Sequence, residues 1–123
     1  MKVVSTPNAP AAIGPTARHW TWAIWYSCPV RSGRPCTGKM ADTVEEQAAQ
    51  SLANLKAILA EAGLTMANVV KTVIFLADIN DFAAVNAEYA KAFAEPFPAR
   101  SCVQVAAIPK GAKLEIECIA VRE

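Results

Sequence analysis

The run "VVKTVIFLA", Val69 to Ala77, constrains this chain more than any other stretch. It is rich in β-branched residues and too short for a lone helix, so it reads as a strand. Its near-continuous apolarity predicts burial on both faces. Helical patterns stand on either side of it. "TVEEQAAQSLANLKAILAEAG" opens with Thr43 and Glu46 at capping-box spacing and puts Val44, Ala48, Leu52, Leu55, Leu59 and Ala62 on one face. It stops at Gly63, read as the residue just past the helix end. After the strand, "DINDFAAVNAEYAKAFAEP" carries Phe82, Val85, Tyr89 and Phe93 at helical spacing. Asp78, Asn80 and Asp81 serve as cap and first-turn residues there, and Pro96 lies past the end.

Two more strands follow, "ARSCVQVAAIP" and "KLEIECIAV", joined by the turn "PKGA". In the second, Leu114, Ile116 and Cys118 share one face while Glu115 and Glu117 share the other. With two further strands in the N-terminal portion, the order predicts an α+β layer in which two helices pack on one face of a sheet. The 123 residues suit a single domain spanning 1–123. A hydrophobic content of 54% against 19% charged is rather apolar for a lone monomer, so oligomerisation is expected, and an apolar far side of the sheet would favour a trimer or dimer.

Charge and composition exclude several classes of function. A net charge of +1 with no basic run argues against nucleic acid, and no window approaches the length of apolar sequence a membrane span needs. The start "MKVVSTPNAPAAIGP" is broken by Ser5, Pro7, Asn8 and Pro10 and lacks a secretory core, which points to a cytoplasmic protein. The four cysteines, Cys28, Cys36, Cys102 and Cys118, form no CxxC pair, and one histidine leaves a zinc site short of ligands, so reduced thiols and no metal are expected.

Four residues are candidates for chemistry. Arg100 sits at the entrance of a strand in "FPARSCVQV", where a planar guanidinium suits a carboxylate or phosphate; the plainer alternative is a surface residue or an ion pair with Glu115 or Glu117. Glu115 either lies on a solvated strand face with Glu117 or handles a proton in a cleft. Asn86 reads as a surface or capping residue unless it borders that cleft, and Cys102 as a small buried residue unless its thiol reacts.

"NAPAAIGP" (8–15), "VVKTVIFLADINDFAAVNAEYAKAF" (69–93), "FPARSCVQVA" (97–106) and "IPKGAKLEIECIAV" (108–121) together resemble the RidA/YjgF family of reactive-intermediate deaminases, over residues 3–15 and 37–123. The resemblance implies a chorismate-mutase-like α+β fold, two helices on one face of a mixed sheet, assembled as a homotrimer with clefts between subunits. It implies hydrolysis of enamine and imine intermediates such as 2-aminoacrylate and 2-iminobutanoate to 2-oxo acids and ammonia, with no metal or organic cofactor. Arg100 then matches the arginine that clamps the substrate carboxylate and Glu115 the acid near the attacking water. Cys102 matches a position whose backbone holds the ligand, and Asn86 an asparagine near the cleft. The alternative is a non-catalytic trimeric binder of small carboxylates, or a holdase-like protein.

The resemblance breaks between Pro15 and Thr37. Thr16 stands where the family has a tyrosine, a serine-glycine-glutamine motif is missing, and the segment instead gathers His19, Trp20, Trp22, Trp25, Arg18, Arg31 and Arg34. These charges, with Pro29 and Pro35, conflict with a clean strand pair. One back-translation of "TARHWTWAIWYSCPVRS", read one base out of frame, gives "YGQALDLGNLVFVSGQI", which restores both features. Residues 16–36 therefore read as the product of compensating single-base deletions. The intact mass with a peptide map over residues 12–45 checks this: peptides in the restored frame are expected, and a mass equal to that of the printed chain overturns the reading.

Overall fold

In the computed structural model, residues 2–3, 7–8, 20–21, 25–30 and 39–122 are described. Most of the 16–36 segment, including Thr16, His19, Arg31 and Arg34, lies outside them. The elements run β1 (Lys2–Val3), β2 (Trp20–Thr21), β3 (Trp25–Val30), α1 (Val44–Glu61), β4 (Val69–Leu76), α2 (Phe82–Ala92), β5 (Ala99–Gln104) and β6 (Leu114–Val121), with short 3-10 turns at Met66–Asn68, Ile79–Asp81 and Pro109–Gly111.

The six strands form one sheet in the order β1-β2-β3-β6-β4-β5. β3 and β4 both pair antiparallel with β6, and β5 lies parallel to β4. β3 and β4 therefore run the same way with β6 between them, and β4 and β5 run the same way side by side. A parallel return cannot be made by a tight turn, so each of these two connections is made by a helix. The "PKGA" turn leads from β5 to β6, yet these strands are not partners, because β4 lies between them.

α1 begins where the sequence places it. Thr43 caps it, accepting from the Glu46 backbone N–H at 3.3 Å while its hydroxyl donates to the Glu46 carboxylate at 3.0 Å. It ends at Ala62 with Gly63 at φ 72°, a left-handed conformation that glycine adopts without steric cost. Val44, Ala48, Leu52, Leu55, Ile58 and Leu59 of α1 and Val85 and Tyr89 of α2 pack onto Ile74, Leu76, Leu114, Ile116, Cys118 and Ala120 of the sheet. Both helices thus cover the same face. In β6 buried and half-buried residues alternate along the whole strand, as its sequence predicts.

Two expectations are modified. α1 buries a polar stripe, Gln47, Ser51 and Asn54, beside its apolar one. Gln47 serves as a staple: its amide donates to the Ala41 carbonyl at 2.7 Å and accepts from the Lys113 N–H at 2.9 Å, tying the start of α1 to the start of β6. β4, expected to be buried on both faces, is buried on only one within this chain. Thr72, Ile74 and Leu76 are covered, Val73 and Phe75 are half-buried, and Val70 is exposed where a register shift against β6 falls between Val69 and Lys71. Among the described residues, no further layer covers the face away from the helices.

Candidate functional site

Arg100 stands near the start of β5, where the register sets it opposite Thr72, and Thr72 opposite Cys118. Residues level with each other on neighbouring strands point to the same face. Thr72 and Cys118 are buried under the helices, so Arg100 leaves the sheet on the helix side. There it meets α2. Phe82, Asn86 and Tyr89 recur at i, i+4 and i+7, one face of a helix. The guanidinium Nη1 donates to Asn86 Oδ1 at 2.7 Å, and its central carbon lies 4.7 Å from the Tyr89 ring centre and 5.6 Å from that of Phe82.

The side chain that holds Arg100 is thus a neutral amide, and not the Glu115 or Glu117 carboxylate that an ion pair would need. This contact orients the fork without cancelling its charge, and Arg100 itself is exposed. A cation kept over aromatic faces and steered by one acceptor is suited to a planar anion on its remaining edge.

Beneath it, the Tyr89 hydroxyl and the Thr72 hydroxyl are hydrogen-bonded at 2.8 Å in the core, and the Tyr89 ring lies 4.6 Å from that of Phe93. Burial pushes the Tyr89 phenol above its ordinary value, against the opposing pull of the Thr72 hydrogen bond and the Arg100 charge. Cys102, two residues beyond Arg100 and level with Ile74, is half-buried on the same face; burial pushes its thiol up too, opposed by Arg100. A thiol so shifted stays protonated at neutral pH and is a poor nucleophile.

These two shifts have a consequence for stability. Both groups keep their protons in the folded chain at a pH where the unfolded chain has lost them, so the stabilisation is complete below the ordinary values of 9.0 for Cys102 and 10.0 for Tyr89 and is lost as pH rises through the folded ones. Thermal melts from about pH 8 to about pH 11 are expected to show a falling midpoint in the upper part of that range, with the fall blunted in Tyr89→Phe.

Glu115 lies elsewhere. It is level with Phe75 on β4, which is level with Val103 on β5, and this row alternates with the buried one. Its half-buried side chain therefore leaves the sheet on the face away from the helices, with Glu117 on that same face. One chain brings together Arg100, Asn86 and Cys102 on one side of the sheet and leaves Glu115 on the other. Tyr89 and Phe82 read as core from their spacing alone; the signal for more was the asparagine interrupting their stripe at Asn86. Among the described residues no cluster of three or more His, Cys, Asp or Glu could hold a metal ion.

The chain resembles known proteins over nearly its whole length. A family model described as Endoribonuclease L-PSP matches residues 26–122. A Salmonella typhimurium protein named 2-iminobutanoate/2-iminopropanoate deaminase is 50% identical over 128 aligned residues, covering 98% of both chains. Among solved structures, Escherichia coli TdcF with bound serine superposes with a TM-score of 0.95 at 41% identity, covering 100% of both chains. The Escherichia coli YjgF gene product superposes with a TM-score of 0.95 at 46% identity, also over 100% of both chains.

Proposed function

The chain belongs to the RidA/YjgF family, whose model is the Endoribonuclease L-PSP one, and on that footing we propose that it hydrolyses small 2-imino acids and their enamine tautomers to 2-oxo acids and ammonia. The name of the Salmonella relative and its identity of 50% support this reading. The observation that carries it here is the Arg100 guanidinium, aimed by Asn86 and seated on two aromatic rings with its charge not neutralised by the amide that holds it.

The chemistry follows from that anchor. Arg100 takes the substrate carboxylate on its remaining fork, and Cys102 lies along the same strand with its backbone beside the bound acid. The imine carbon is electrophilic once its nitrogen is protonated. Water adds to it to give a carbinolamine, a proton moves from oxygen to nitrogen, the C–N bond breaks, and ammonia leaves as the carbonyl forms. Each step is the addition of water, a proton transfer or the loss of ammonia, so positioning and one acid–base group suffice.

Glu115 is the group for those transfers, and its location on the far side of the sheet implies a second copy of the chain. Val73, Phe75, Ile119 and Val121 are half-buried on that face and Val103 is exposed. Covering this apolar face in a homotrimer would set Glu115 in an inter-subunit cleft, each single 1–123 domain contributing to a site its neighbour completes. No helix among the described residues is long and apolar enough to cross a membrane. A cytoplasmic setting belongs to the same proposal and is supported by the free thiols of Cys102 and Cys118.

The test is release of ammonia and 2-oxobutanoate from 2-iminobutanoate generated in the cuvette from threonine by a dehydratase. Acceleration above spontaneous hydrolysis, proportional to the amount of this protein, is the expected result. The position of Glu115 across the sheet from Arg100 favours one other reading, a carboxylate binder without catalysis. Binding of 2-oxobutanoate with no acceleration would establish that reading instead.

A further inference from the structure

We propose that Tyr89, pinned by Thr72, is a positioning residue for the anchor: its ring is the platform that fixes the plane of the Arg100 guanidinium, and with it the direction in which a substrate carboxylate is received. This rests on reading Arg100 as the anchor.

An exposed arginine ordinarily samples many rotamers, and ordering it on binding costs free energy that weakens the complex. Arg100 is exposed, yet its guanidinium carbon lies 4.7 Å from the centre of the Tyr89 ring, nearer than the 5.6 Å to Phe82. A platform is useful only if it is itself fixed. Tyr89 is 4% exposed, its hydroxyl meets that of Thr72 at 2.8 Å, and Thr72 is fully buried in β4. The strand that carries Thr72 is the one beside Arg100, and the two residues are level in the ladder. One hydrogen bond therefore sets the ring relative to the same strand pair from which the arginine departs.

Asn86 completes the arrangement from the side. Its 2.7 Å bond to Nη1 fixes rotation within the plane, while the Tyr89 face fixes the plane itself. Two independent restraints leave a flat cation with one orientation, which is what bidentate capture of a carboxylate requires. The phenol's raised proton affinity keeps the ring neutral through the physiological range, so the contact remains one of cation and ring face rather than of two charges.

The experiment uses the full chain with Tyr89→Leu, Tyr89→Phe, Thr72→Val and Arg100→Ala, each first checked for a cooperative urea transition. NMR of the Arg100 side chain, without ligand, reads the platform. Its δ-methylene and Nε–H resonances are expected to be shifted upfield in the unmodified chain, to stay shifted in Tyr89→Phe, and to return to ordinary positions in Tyr89→Leu. Titration with 2-oxobutanoate reads the consequence. The Kd is expected to rise about five- to tenfold in Tyr89→Leu and about two- to threefold in Tyr89→Phe and Thr72→Val.

Unshifted Arg100 resonances in the unmodified chain, or an unchanged Kd in a folded Tyr89→Leu, overturn the proposal. Should Tyr89→Leu not fold, Tyr89→Phe and Thr72→Val decide: unchanged Kd in both overturns it. Failure of the anchor reading looks different, since Arg100→Ala would then bind 2-oxobutanoate as the unmodified chain does.

Discussion

Replacing Arg100 by alanine is expected to lower kcat/KM for 2-iminobutanoate by roughly one to two decades while leaving the elution volume of the protein unchanged. In the proposed role of Arg100, the change deletes a charge-assisted fork to the substrate carboxylate, an interaction worth about 1.5–3 kcal/mol. Arg100 is exposed, and the one core side chain it touches, Tyr89, keeps its hydrogen bond to Thr72 and its contact with the Phe93 ring, while Val85 anchors α2 independently. Activity and elution volume should therefore part. The assay for 2-oxobutanoate beside size-exclusion chromatography checks both, and retained activity would remove Arg100 from its assigned role.

Ile116→Ala is expected to be strongly destabilising, at about 2–5 kcal/mol. Ile116 is fully buried on β6, level with Ile74 on β4 and with Val30 on β3, under the helices. Its loss opens a cavity at the middle of the sheet, where rigid strands on both sides limit collapse. Against a total of about 5–15 kcal/mol for a domain, that is a large share. Urea unfolding followed by circular dichroism checks it, the midpoint falling at an unchanged slope.

The parts of this fold that were legible in the sequence are those decided within a few residues. The Thr43–Glu46 cap, the stop at Gly63, the apolar face through Ala48, Leu52, Leu55 and Leu59, and the alternation of Leu114 to Cys118 all depend on local spacing, and all appear in the structure. What was not legible depends on distant partners. Gln47 is buried because Ala41 and Lys113 satisfy its amide, and nothing near Gln47 in sequence announces Lys113. β4 reads as buried on two faces, whereas the described helices cover only one of them. The candidate site divides in the same way. Arg100 stands out by residue type and position, but its companion Asn86 follows from β5 lying parallel to β4 under α2, a matter of topology. Glu115 alternates as expected, and only the register shows that its face is the opposite one.

The location of β6 has a consequence for how the chain is made. It follows every other strand in sequence, yet it is the strand that joins β3 on one side to β4 on the other. During synthesis, β4, α2 and β5 can dock as a unit while β3 waits, but the two portions of the sheet have no shared edge until residues 114–121 clear the ribosome. The growing chain therefore carries exposed ladder groups on β3 and on β4 until β6 emerges, and closure is a long-range event. Release of a chain stopped just before Leu114 would free two unpaired edges at once, making the nascent protein a ready client for chaperones and proteases.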